Sequence, residues 1–281
     1  MQEIQHYNNR YIRWNERFPI ARALCLEPFI TNNQPDHKNA WTARMEGRAG
    51  LRGGAEILAD SPIQGMKGIY RVEVQVGTYS ASYVGMSMMQ KVNSIEERVA
   101  LHGLSLMGRP LNTEAASLIM NNHMLKDREA ARFWFCSQDF QCYQHLHTEF
   151  FRGPRNQLSR KVQAARRIIE LGITSFKLQK HFWGSNIHVQ VFPVEISDDY
   201  ELNLAAIKVL EAIALLEERL FESGIIELNA VDEAAPERIR KKIENFQKIY
   251  LCSKSKNKFK RLFMFIAKTP LVDIAKANKI I

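Results

Sequence analysis

With 281 residues, 46% of them hydrophobic and 25% charged, the chain reads as an ordinary soluble globular protein that can bury one substantial core plus a smaller module. Its 39 lysines and arginines outnumber 30 acidic residues, and the net charge of +9 suggests a polyanionic partner. No apolar run approaches a membrane-spanning helix, the N-terminus is too polar for a secretory signal, and four cysteines are too few for a disulfide framework, so a reducing cytoplasm is the expected compartment and no membrane partner is expected.

Residues 1 to about 60 read as an N-terminal extension. Tyr11, Ile12, Trp14 and Phe18 suit the apolar stripe of a helix whose polar side carries Arg10, Arg13 and Arg17. Arg44, Arg48 and Arg52 follow among four glycines (Gly47, Gly50, Gly53 and Gly54), a loop-like stretch in which Arg48 is a candidate phosphate contact.

The most informative stretch runs from Gly68 to His102. Val72, Val74 and Val76 alternate with Arg71, Glu73 and Gln75, a polar break covers Gly77 to Ser82, and Tyr83-Val84-Gly85 forms a second short strand. Alternation on both sides of a turn predicts an antiparallel hairpin. Ser94 and Glu97 then have the spacing of a capping box, so a helix is expected to start there with Arg98 and His102 four apart on one face.

Residues from about 104 to 184 read as one long stretch of largely helical character. It contains a helix-like stretch from Asn112 to Leu125, an apolar strand from Ala131 to Cys136, and a basic segment from Arg152 to Arg167 with Arg155, Arg160 and Arg166 as candidate DNA contacts. Cys136, Cys142, His145 and His147 carry zinc-ligating atoms, yet their spacing is not that of a common finger, and a thiol ending an apolar strand is ordinarily buried.

Beyond this stretch, His188 to Glu195 reads as a strand with a shift at Pro193. Leu202 to Ser223 reads as a long amphipathic helix stopped by Gly224, with Glu211, Glu217, Glu218 and Glu222 along it. After Pro236 the tail is strongly basic with interleaved Phe246, Tyr250, Phe259, Phe263 and Phe265. It suits either an accessory DNA-binding arm or a helix packed through its aromatics.

Gly68-Ile69-Tyr70, Tyr83-Val84-Gly85, Arg98, His102 and a late helical glutamate resemble, in this order, the signature of the GIY-YIG nuclease superfamily, with valine for isoleucine in the second motif. The resemblance covers about half the chain, residues 65–103 and about 185–230. It implies an α+β fold with a small antiparallel sheet of about three strands flanked by helices. The nuclease domain would occupy 61–235, with a large helical insertion at about 104–184 and a basic C-terminal tail at 236–281.

The same resemblance implies roles. Tyr70 would act as general base or water-positioning group, Tyr83 would orient water or phosphate, Arg98 would neutralise the phosphate, and His102 would relay a proton or hold Tyr70. Glu217, followed by Leu220 and Phe221, best matches the single metal-binding glutamate, with Glu218 its close rival. Asn229 would brace the phosphate or the active-site geometry. The implied cofactor is Mg2+ or Mn2+, since hard divalent cations prefer carboxylate oxygen.

The loop between Gly85 and Arg98 is longer than in compact members. The large insertion and the histidine in the arginine helix look more like the restriction and homing branches than the excision-repair branch. The expected function is therefore metal-dependent, sequence-specific cleavage of double-stranded DNA, with a homodimer open. The alternatives are a structure-specific repair or recombination nuclease, and a non-catalytic nucleic-acid-binding protein on a degenerate nuclease fold.

Overall fold

The computed structural model describes residues 10–25, 61–88, 95–96, 98–99, 186–222, 224–229 and 235–277. In chain order these form β1 (Phe18–Pro19), α1 (Ile20–Ala23), β2 (Gly68–Val76), β3 (Tyr79–Ser87), β4 (Ile187–Pro193), α2 (Tyr200–Phe221), β5 (Ile226–Glu227), α3 (Pro236–Cys252), a 3-10 turn (Lys256–Phe259), α4 (Lys260–Lys268) and α5 (Leu271–Ala277). The result is a mixed α and β fold. The sheet order is β1-β4-β2-β3-β5, in which the long central strand β2 is antiparallel to both of its long neighbours and two-residue strands finish each edge. Only β5 runs parallel to its neighbour, β3.

β2 is the central strand. It pairs with β3 from Gly68↔Ser87 to Val76↔Tyr79, and with β4 from Gly68↔Pro193 to Val74↔Ile187. The connection between β2 and β3 is only Gly77-Thr78, with Gly77 at a φ of +55° that an L side chain rarely adopts. The expected break from Gly77 to Ser82 is thus too long, because Tyr79 to Ser82 already belong to the ladder. Ser80 and Ser82 look turn-like by composition, but pairing of their backbone against Gln75 and Glu73 decides their state.

Successive side chains of a strand point to opposite faces. Ile69 and Val84 join the apolar cluster built by α2, together with Leu202, Ile207, Leu210, Ile213, Leu215 and Leu216. Tyr70, Val72, Val74, Ala81, Val189 and Val191 are equally buried but lie outside that cluster, on the face toward α1, whose Ile20 and Ala21 are also buried. With both faces covered, β2 carries consecutive buried residues instead of a half-solvated alternation. Each fully buried Val, Leu or Ile contributes roughly 1.5–3 kcal/mol.

Asp199 caps α2 by accepting the Leu202 N–H at 3.0 Å, and Ser253 Oγ donates to the other oxygen of Asp199 at 2.5 Å, which ties the end of α3 to the start of α2. Gly224, at a φ of +93°, follows the helix end as expected of a C-terminal stop. The tail is packed through its aromatics. Phe246, Tyr250, Phe259, Leu262 and Ile266 join the α2 cluster, and the rings of Tyr250 and Phe263 stack at 4.2 Å. Among the described residues no helix is long and apolar enough to cross a membrane.

The expected helix over Tyr11 to Phe18 is absent. Residues 12–17 are irregular and lead into β1. Asn15 explains this: its amide donates to Val191 O at 3.0 Å and its side chain accepts the Val191 N–H at 2.7 Å, so the segment adheres to the edge of β4. Ile12 nevertheless reaches the core, at 2% exposure.

Candidate active site

The hairpin brings Tyr70 and Tyr83 onto one face of the sheet, with ring centroids 6.5 Å apart and planes tilted by 44°. Tyr70 lies directly opposite Gly85 in the β2–β3 register. A β-carbon placed on Gly85 would stand 2.5 Å from the Tyr70 hydroxyl, 2.6 Å from its Cζ and 2.9 Å from Cε1 of Tyr83. The tripeptide Tyr83-Val84-Gly85 therefore has a local physical meaning: its glycine vacates the space that the first tyrosine's phenol end occupies. Tyr70 is buried, whereas Tyr83 keeps part of its surface open.

Ile95, Glu96, Arg98 and Val99 are helical, as the spacing after the hairpin predicts; Ser94, Glu97 and His102 lie outside the described residues. Ile95 and Val99 are fully buried outside the α2 cluster, and Glu96 accepts the Gly65 N–H at 2.7 Å, which sets this turn beside the loop entering β2. Arg98 is partly buried, and its Nε makes no hydrogen bond among the described residues.

The carboxylates lie elsewhere. Arg71, the residue after Tyr70, projects to the opposite face, where its Nε stands 2.7 Å from Glu218 Oε1. Both side chains are under a tenth exposed. Burial pushes the Glu218 carboxyl up, opposed by Arg71 and the nearby Ser82 hydroxyl, while Glu227 and Glu222 push further upward. Glu222 in turn pairs with Arg10 at 2.7 Å, and Glu227 pairs with Arg219 Nε at 2.5 Å and Nη2 at 2.8 Å. Three arginines thus balance three glutamates between α2, β2, β5 and the segment that precedes β1.

Glu217 has a different task. Its two oxygens accept the N–H groups of Tyr11 at 2.6 Å and Ile12 at 3.1 Å, and it is 5% exposed. It straps the N-terminal segment to α2. A Mg2+ ion demands near-octahedral geometry and keeps several waters. Two carboxylates buried to this degree, one engaged by amides and one by a guanidinium, do not fit such an ion as they stand, and the sheet separates both from the tyrosines.

Asn229 sits at the edge strand. Its Oδ1 accepts the Val84 N–H at 2.9 Å and its Nδ2 donates to Val84 O at 2.6 Å, just beyond the Leu228 N–H bond to Ser82 O at 2.7 Å. It continues the ladder with a side chain and holds the strand bearing Tyr83.

The structure therefore brings together Tyr70, Tyr83 and their brace Asn229, and sets Glu217 and Glu218 across the sheet from them. Arg48, Arg152, Arg155, Arg160 and Arg166 lie outside the described residues, as do Cys136, Cys142, His145 and His147. Sequence reasoning passed over Arg71, whose alternation suggested a solvent-facing residue. The available signal was a glutamate-bearing amphipathic helix that had to pack on one face of the hairpin. No family model, curated protein or solved structure matches this chain.

Proposed function

We propose that this chain is a DNA endonuclease of the GIY-YIG kind, cleaving phosphodiester bonds in double-stranded DNA at specific sequences. The observation that carries the reading is the tyrosine pair: Tyr70 seated over Gly85 beside Tyr83, on a strand that Asn229 braces. The arginine-rich insertion supports the restriction-type form of it, since sequence discrimination needs side chains at base edges.

Hydrolysis needs a water aimed in line with the leaving oxygen and neutralisation of the charge that grows on the phosphate. Tyr83, the more open of the two phenols, meets the water or the phosphate. Tyr70, packed behind it, fixes that phenol and takes or passes the proton. An unperturbed phenol titrates near 10, so this transfer requires a cationic neighbour or an imidazole. Arg98, on the helix after the hairpin, and His102, four residues on, are the groups of the right kind. Arg98 supplies a planar fork for phosphate oxygens.

The commitment of Glu217 to two backbone amides favours a second reading, a nucleic-acid-binding protein that keeps the hairpin without cleavage. One experiment separates the two. Plasmid and phage DNA are incubated with the protein in Mg2+, Mn2+ or a chelator, and the ends are mapped. Discrete fragments support the restriction-type reading, smears or junction-dependent cuts support a structure-specific nuclease, and intact DNA that is nevertheless bound supports the second reading.

A further inference from the structure

The charge of this chain is concentrated in one place. From Pro236 to Ala277 there are twelve lysines and arginines and three acidic residues, a net of +9, which equals the net charge of all 281 residues. From Asn245 to Val272 there are seven lysines and arginines and no aspartate or glutamate. We propose that the corner where α3 turns into α4 is a docking surface for the sugar–phosphate backbone of nucleic acid, with Lys248, Lys254, Lys256 and Lys260 as its contacts. This deepens the nuclease reading, and it rests on that reading for the choice of nucleic acid as the polyanion.

Three observations support a built surface. Lys248, Lys254, Lys256 and Lys260 are exposed and, among the described residues, make no ion pair, unlike Lys242 with Glu211 and Lys258 with Glu195. The platform beneath them is fixed: Phe259 and Leu262 are buried, Ser253 is tied to Asp199, and Lys258 Nζ donates to Ile196 O at 2.9 Å. On α4 the exposed positions Lys260, Arg261, Met264, Ala267 and Lys268 follow helical spacing, so Lys260, Arg261 and Lys268 share a side. Insertion into a lipid surface needs a continuous apolar face. Here the apolar faces of α3 and α4 are spent on the core, and Leu251 and Met264 are the large exposed hydrophobics. Exposed cations on a fixed platform suit phosphates and carry affinity without base choice.

The test is binding of a random-sequence duplex, followed by fluorescence anisotropy over a salt series in a chelator. Wild-type protein is compared with a variant carrying Lys248→Ala, Lys254→Ala, Lys256→Ala and Lys260→Ala. Thermal melting confirms that these exposed changes leave the fold intact. The variant is expected to bind about tenfold or more weakly at low salt, with a salt slope reduced by about three to four, since each neutralised phosphate contributes about 0.9. Equal affinity and slope in the two proteins overturns the inference. So does wild-type binding to anionic phosphatidylserine vesicles with none to duplex. Duplex binding through this corner by a protein that cuts no DNA sustains the inference and sinks the nuclease reading. Cleavage by a protein whose binding ignores the four lysines does the reverse.

Discussion

The Tyr70 phenol occupies the space that a side chain at Gly85 would need. With a β-carbon there, the closest approaches would be 2.5 Å to the hydroxyl and 2.6 Å to Cζ. Gly85→Ala must therefore displace the ring or bend the strand. Overpacking of this kind costs about 1–3 kcal/mol. The variant should melt below wild type and lose cleavage along with stability, because Tyr70 and Tyr83 both shift. A variant as stable and as active as wild type would show that the ring does not sit there.

Within the proposed mechanism, Tyr83→Phe and Arg98→Ala each remove a group that meets the reacting phosphate or water. Loss of one such stabilising donor typically lowers the rate by about 10²–10³. Neither change touches the α2 cluster, so duplex binding and melting temperature should stay near wild type while single-turnover cleavage falls. Unchanged cleavage by Tyr83→Phe would move the water-facing role to Tyr70.

Much of this arrangement is legible in the sequence. The alternation around Tyr70 reveals the hairpin, the spacing after it reveals the Arg98 turn, and the apolar period from Leu202 reveals α2 to within two residues at each end. Two things are not. Arg71 and Glu218 look solvent-facing by local pattern, and only the packing of α2 on the odd-numbered face of β2 buries them together. The segment from Tyr11 to Phe18 has a helical apolar period, but distant groups claim its amides: Val191 O accepts the Asn15 N–H, and Glu217 accepts those of Tyr11 and Ile12. Long-range partners of this sort leave no trace in local periodicity.

The Arg71–Glu218 pair should behave as a unit. Removing one partner of a buried pair strands the other charge and costs about 3–5 kcal/mol, whereas replacing both by apolar residues of similar volume is often neutral or stabilising. Arg71→Met and Glu218→Leu should each be strongly destabilising to urea, and the double variant much less so. Arg71 also lies 3.9 Å from Glu222, so some of the coupling belongs there. The sign with pH follows from the raised Glu218 carboxyl. A raised folded value means that stability is present at low pH and is lost as pH rises through that value. The penalty of Arg71→Met should therefore shrink on acidification, as the stranded carboxylate takes up a proton. A pH-independent penalty would show that Glu218 is not the charge left behind.

His188 gives a second pH signature. Burial and then Arg17 hold its imidazole below the ordinary value of 6.5, against the pull of Glu73, and among the described residues its Nδ1 is buried without a hydrogen bond. A depressed folded value means that stability is intact above the unfolded value and is lost as pH falls through the folded one. Wild type should lose stability as pH falls below the unfolded value of about 6.5. His188→Gln, which cannot titrate, should flatten that part of the profile. Parallel profiles for the two proteins would assign the acid sensitivity to other groups.

Glu217 carries the sharpest test, because the resemblance gives it a cation and the geometry gives it two amides. If its task is the strap, Glu217→Ala leaves the Tyr11 and Ile12 N–H groups without their acceptor, the latter of them buried. An unsatisfied buried donor costs about 1–3 kcal/mol. Glu217→Gln should help only partly, since its amide nitrogen presents a donor to a donor. Both variants should melt lower than wild type by the same amount with and without Mg2+, and proteolysis should begin near residues 10–17. A Mg2+-dependent rise in the melting temperature of wild type that vanishes in Glu217→Ala would show the opposite: the N-terminal segment yields the carboxylate to a cation, and the strap is the resting state of a metal site.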